Sequence, residues 1–296
     1  MNILQRINEI RELPALPEIM LRVQALVNSE EGSAATLARI IEQDPSLTAK
    51  ILKVANSSYF GSVNQRISSL RLALARIGFN EVRNIVTAMS LIKQFSRKSN
   101  LLDYKVFWRH SLTAAYLNQK IAGRARPAIS PEQLQHCFIA GLLHDVGILV
   151  YDQFFHKEFE GIISHAIQGE KSFLAAETAI AGKETHPTVG AALLEIWKID
   201  VQVISGVRFH HQGWEKAPEL HRVIAGATRV SEYILCNCAL GSFEGTIQRI
   251  DKEVTDFFGI SADVEADLFA AAEAQVDMSD LVVAMSMAGD GQLRRI

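Results

Sequence analysis

Apolar residues along this chain recur at spacings of three and four rather than two, which predicts helices throughout. Ile19, Val23, Leu26 and Val27 form one stripe, and Leu37, Ile40 and Ile41 a second. Asp44-Pro45 reads as an N-cap followed by proline at the first helical position, where its missing N–H costs nothing. Leu47, Ile51, Val54 and Ala55 continue that helix. Leu70, Ala73, Leu74 and Ile77 predict another, closed by Gly78, and Asn80 is expected to cap the next. Trp108, Leu112, Ala115 and Leu117 fall on a further helix. No strand-like alternation and no hairpin turn between apolar runs stands out, so the expected fold class is all-α. The polar stretch Arg97–Asp103 suggests a boundary, giving helical lobes at 1–100 and 101–240. Gly123–Pro131 reads as a loop, with Ser130-Pro131 starting a helix. Residues 241–296 read as a helical extension, with Ile247, Ile250, Val254, Phe257 and Phe258 at helical spacing.

Composition narrows the class. Of 296 residues, 48% are hydrophobic and 21% charged, which excludes a disordered chain. The net charge of −3 gives no overall basic excess for nucleic acid. Residues 1–100 carry 13 Lys/Arg against 8 Asp/Glu, and residues 241–296 carry 4 against 11, so charge is uneven but modest. Three cysteines, Cys137, Cys236 and Cys238, argue against a disulfide framework and fit a reducing cytosol. The N-terminus lacks the apolar core of a signal peptide, and no run of 18 uncharged apolar residues predicts a membrane span. A cytoplasmic protein is the expectation.

The histidines carry the chemical information. His110 shares a helix face with Ala114, Leu117 and Ile121. His144 and Asp145 lie inside the apolar run FIAGLLHDVGILV. A buried carboxylate there needs a metal, an imidazolium or several donors. His186 opens the helix of Val189, Leu193, Ile196 and Trp197. His210 and His211 end the helix of Val201, Ile204 and Val207. Four helical segments thus each offer a ligand-type group toward a core. His136, His156, His165 and His221 are expected to be ordinary packing or solvated residues, and Cys236 and Cys238 small buried groups.

These motifs, in this order, resemble the HDOD (HD-related output domain) family. LPALPEIMLRVQALV, LARIIEQDPSLTAKILKVANSSYFG and ISSLRLALARIGFNEVRNIV look like its first lobe. FWRHSLTAAYLNQKIA, GLLHDVGILV, HPTVGAALLEIWKI and FHH look like its HD-like lobe. The likeness runs from about residue 10 to about residue 235. It implies an N-terminal helical lobe packed on an HD-like helical lobe, and a bacterial signalling output module. The wider HD superfamily also contains metal-dependent phosphohydrolases and the HD-GYP cyclic-dinucleotide phosphodiesterases. By resemblance, the metal-ligand positions are His110, His144, Asp145, His186, His210 and His211.

Departures from the superfamily pattern weigh against catalysis. Thr228 stands where active HD enzymes keep a late Asp, Ile148 stands where HD-GYP proteins keep Lys, and the Gly-Tyr-Pro element is absent from HHQGWEKAPEL. With Asp145 as the remaining carboxylate, two divalent ions would leave too much positive charge. The expected cofactor is therefore at most one divalent transition metal, iron, zinc or nickel. No residue is assigned a catalytic role. The expected partners are signalling proteins, with room for a nucleotide ligand. The alternative is an HD-type phosphohydrolase or phosphodiesterase. Nucleic-acid binding through Ser46, Thr48, Lys50 and Lys53 of a helix-turn-helix-like pair is disfavoured by the mixed surrounding charge.

Overall fold

The structure is a computed structural model. It describes residues 3–7, 10, 13–26, 33–61, 66–95, 99, 101–169, 171–211, 213–241 and 250–288. Every regular element among them is helical. The chain divides into two units, one formed by residues 1–13 and 98–276, the other by 14–97 and 277–296.

Helix α1 (Ile3–Ile7) belongs to the first of these units. The second contains α2 (Glu18–Ala25), α3 (Ala34–Glu42), α4 (Pro45–Ala55), α5 (Leu70–Ile77) and α6 (Phe79–Gln94). Helix α6 is its centre: Val82, Ile85, Val86, Met89 and Ile92 are buried, and α2 to α5 all pack against it. Side-chain caps explain the helix starts. Ser33, Asp44 and Ser69 each accept a backbone N–H of the first turn. Asn80 does not cap α6 as the sequence suggested. Gly78, at φ 95°, both closes α5 and opens α6, a conformation that favours glycine. Lys50 is 4% exposed and Thr48 donates to the Ile41 carbonyl, so neither is presented to a phosphate as the helix-turn-helix reading required. Val27 and Ile247 lie outside the described residues.

The other unit contains α7 (Tyr104–Ala122), α8 (Pro131–Leu143), α9 (Val146–Phe154), α10 (His156–Gly169) and α11 (Phe173–Ala181). It continues with α12 (His186–Ile196), α13 (Val201–Phe209), α14 (Arg222–Asn237) and α15 (Lys252–Phe258). Helix α16 (Ala262–Met287) contributes its residues to Val276 here and the rest to the other unit. Ser130 and Gln133 form a reciprocal capping box that starts α8. The run Pro131–Phe154 is long and apolar enough to cross a bilayer by composition, but 89% of its most apolar window is buried inside the protein, as a core helix is.

Three contacts set the spacing of this core. Gly141 on α8 lies where a Cβ would sit 2.7 Å from the Ala115 Cα, so α7 and α8 meet backbone to backbone. Asn118 donates to the Cys137 carbonyl and the Thr228 hydroxyl and accepts from Ser231, joining α7, α8 and α14. A Cβ at Gly147 would collide with the His186 carbonyl oxygen and sit 2.9 Å from the Gly190 nitrogen, so α9 and α12 can touch only through glycine. Gly147→Ala is expected to cost about 1–3 kcal/mol by overpacking and to displace His186. Denaturant melts of the two proteins check this, and an unchanged midpoint would contradict the packing described.

Candidate metal centre

Helices α7, α8, α12, α13 and α14 deliver polar groups to one buried place. His110 comes from α7, and His144 caps the C-terminus of α8 with Asp145 next to it. His186 is the first residue of α12, and His210 and His211 follow α13. All six sequence-predicted site residues converge, and none is more than 6% exposed. The other four histidines lie outside the cluster; His221, for example, bonds the Ser205 hydroxyl.

Asp145 divides the cluster in two. Its Oδ1 faces His186 Nε2 at 3.4 Å and His210 Nε2 at 3.5 Å. His186 Nε2 in turn lies 3.2 Å from His210 Nε2 and 2.9 Å from His211 Nε2. Its other oxygen, Oδ2, faces His110 Nε2 at 3.5 Å and His144 Nε2 at 3.3 Å. The remote nitrogens fix the tautomers. His110 Nδ1 donates to the Leu240 carbonyl, His144 Nδ1 to Gly141 and His210 Nδ1 to Val207. His186 Nδ1 donates to Glu177 Oε2 at 2.6 Å. Because a carbonyl can only accept, each Nδ1 carries a hydrogen and each Nε2 turns toward the centre. Convergent imidazole nitrogens and a carboxylate, each oriented by an outer partner, suit a divalent transition metal.

The expectation that Asp145 is the one remaining carboxylate is corrected here. Glu232 on α14 is 1% exposed, and its Oε2 lies 3.1 Å from both His110 Nε2 and His144 Nε2. Thr228 points elsewhere, donating to the Ile224 carbonyl and accepting from Asn118. The acid sits one helical turn beyond the position at which the superfamily pattern keeps it. Cys236, read from sequence as a small packing group, donates its thiol to Glu232 Oε1 at 3.0 Å. Glu177, fully buried on α11, is the second group the sequence reading missed.

Electrostatics follow the same division. Burial would raise the Asp145 and Glu232 carboxyls, but His144 and His110 respectively, with their neighbours, hold both well below the usual carboxylate range. Burial would lower His110 and His144, yet Glu232 and Asp145 carry them up to about 10 and about 9. Burial also opposes protonation of His186, but Glu177 and Asp145 raise it well above its ordinary value. His210 is pushed down to about 4 by burial and the neighbouring His144 and His186, and His211 is held well below its ordinary value by burial and His210. Protons therefore favour His110, His144 and His186 over His210 and His211. Glu177 accepts from both the backbone N–H and Nδ1 of His186. Glu177→Gln is expected to weaken metal binding about 10–100-fold. Competition against a zinc chelator checks this, and an unaltered affinity would remove Glu177 from the site.

Comparison with known proteins agrees with this architecture. A 1.90 Å structure of an HDOD domain protein of unknown function from Geobacter sulfurreducens is 24% identical with a TM-score of 0.78, covering 94% of this chain and 95% of its own. A Marinobacter aquaeolei VT8 protein, provisionally assigned to signal transduction, is 22% identical with a TM-score of 0.76, covering 94% of this chain and 60% of its own. A Shewanella amazonensis SB2B protein, provisionally assigned as a phosphohydrolase, is 22% identical with a TM-score of 0.67, covering 97% and 98%. Among curated relatives, an uncharacterized Treponema pallidum protein is 23% identical over 259 residues, 86% of this chain. The chain spans 48% of that relative's length. The HDOD domain pattern matches residues 13–213, more than half of the sequence, and the chain belongs to the HDOD family.

Proposed function

We propose that this chain is a signal-transduction output module whose histidine-bearing unit is organised around a metal ion held by Asp145, His186, His210 and His211. The observation that carries the reading is the convergence of these four groups, whose donor atoms all lie within 4.8 Å of one another. A nitrogen-rich set of this kind selects iron, zinc or nickel over magnesium or calcium. Near-complete burial of the cluster suits a centre that braces helices for recognition by signalling proteins more than one that turns over a bulky substrate. The provisional signal-transduction assignment of the Marinobacter protein supports this reading. A cytoplasmic setting is part of the proposal.

A second reading, a metal-dependent phosphohydrolase, is favoured by Glu232, which supplies a second buried carboxylate. Against it stands Ile148, a 1% exposed apolar side chain where HD-GYP proteins keep a lysine. Elemental analysis of protein purified without added metal, beside His210→Ala, tests the metal centre. At least one transition metal per chain, lost in the variant, is expected. Assays with cyclic dinucleotides and phosphomonoesters separate the two readings. Metal-dependent turnover near 1 s⁻¹, an ordinary enzymatic rate, would replace the output-module reading with the hydrolase.

A further inference from the structure

We propose that this chain associates with copies of itself, the exposed acidic face of α16 in one copy seating in the basic, alanine-lined groove between α3 and α5 of another. This goes beyond the metal-centre reading and does not rest on it. The groove has a volume of about 680 Å³, and its walls are Ala34, Ala35 and Ala38 from α3, Leu74 and Ala75 from α5, and Phe79 at the start of α6. Alanine carries nothing beyond its Cβ, so a facing helix can approach to the short end of the usual interaxial range, about 8 Å. The residues that line the groove offer no side-chain hydroxyl or amide to orient a small molecule, as a small-ligand pocket does. Their polar groups are the charged side chains of Arg39, Glu42 and Arg71, all exposed. Such a groove suits the small-residue face of a helix.

Charge complementarity names the occupant. Arg39 and Arg71 make no ion pair among the described residues. Arg83 on α6 is 5% exposed, and its guanidinium lies over the Phe79 ring, 5.8 Å from the centroid, so a third cation backs the ring that lines the groove. Its Nε has no hydrogen-bond partner, and burial that no carboxylate offsets draws the guanidinium down to about 10. A buried cation without a counter-charge is costly, and an acid brought to the groove relieves that cost. Helix α16 has no Lys or Arg among its 26 residues. Its exposed residues Asp263, Ala266, Asp267, Ala270, Glu273 and Ala274 recur at three and four, and so form one stripe. The alanines of the stripe lie four apart, as Ala34 and Ala38 do in the groove, and acids stand beside them where the groove carries arginines. The stripe runs about 16 Å along its helix and the α3 wall about 12 Å along its own, so one can cover the other.

Sedimentation equilibrium of the full chain over a range of concentrations tests the proposal. Association that grows with concentration is expected at low salt, and it should weaken at about 1 M salt, where the Debye length is about 3 Å. Arg39→Glu/Arg71→Glu and Asp267→Lys/Glu273→Lys are each expected to weaken it at least about 100-fold, since each sets like charges face to face. An equimolar mixture of the two variants is expected to associate again, because each acidic groove then meets a basic stripe and each native groove a native stripe. Misfolded chains would not recover on mixing, so the mixture separates a broken contact from a broken fold. A wild type that stays monomeric at every concentration would overturn the proposal and leave the groove to an acidic helix of another protein. Association that persists in either variant would place the contact elsewhere and overturn it as well. So would two monomeric variants that fail to associate when mixed.

Discussion

Asp145→Asn is expected to abolish metal retention and to destabilise the protein by about 3–5 kcal/mol, the range for breaking a buried charge cluster from one side. The replacement keeps the shape of the side chain, so packing is not the cause. What is lost is the negative charge that lies within 3.5 Å of Nε2 on His110, His144, His186 and His210. Without it the raised imidazoles lose a counter-charge in a place that water does not reach. An amide also offers only one acceptor, whereas the carboxylate presents one oxygen to each pair of histidines. Denaturant unfolding with and without chelator, together with elemental analysis, measures both effects. A variant that kept its metal and its unfolding midpoint would show that Asp145 does not hold the centre together.

The metal-free protein is expected to show a tent-shaped stability profile with its apex near pH 6.5. His110 and His144 titrate at about 10 and about 9 when folded, against about 6.5 when unfolded. Their contribution is complete below pH 6.5 and falls as the pH rises toward 9 and 10, by up to about 1.4 kcal/mol per pH unit for each group. On the other side, His210 is depressed to about 4, so its contribution is complete above about pH 6.5 and falls as the medium acidifies. Asp145 and Glu232, held below the usual carboxylate range, extend that acidic loss below about pH 4. Zinc should lessen the alkaline slope, because a cation on Asp145 weakens the hold of that carboxylate on the protons of His110 and His144. Urea melts at pH 6.5 and 9.5, with chelator and with zinc, check this. An alkaline slope equally steep in both conditions would mean that zinc does not bind Asp145.

Much of this architecture is written in the order of the residues. The helical spacing, the Asp44-Pro45 and Ser130-Pro131 starts and the stop at Gly78 all appear where the pattern puts them. The six metal-ligand candidates are legible because each is a polar residue in an apolar helical setting and because together they follow a known motif order. Glu232 escaped that reading because motif matching fixes attention on one column, position 228. A helix presents residues four apart to the same neighbour, so an acid one turn later can fill the same space. Its signal was present all the same, as a lone acidic residue in VIAGATRVSEYILC. Glu177 is similar, the one charge in FLAAETAIA, but its target, His186, is revealed only when α11 and α12 are folded together. Lys50 shows the opposite error. A charged residue on a basic stretch reads as surface until packing encloses its stem.

The anchors of the histidines also carry an order in time. His144 and His210 lean on carbonyls three residues back, and His186 on an acid nine residues back. The set centred on His186 is therefore specified once residue 211 has left the ribosome. His110 must wait for Leu240, 130 residues downstream, before its ring is fixed. Vectorial synthesis thus supplies the anchors of one half of the pocket well before those of the other.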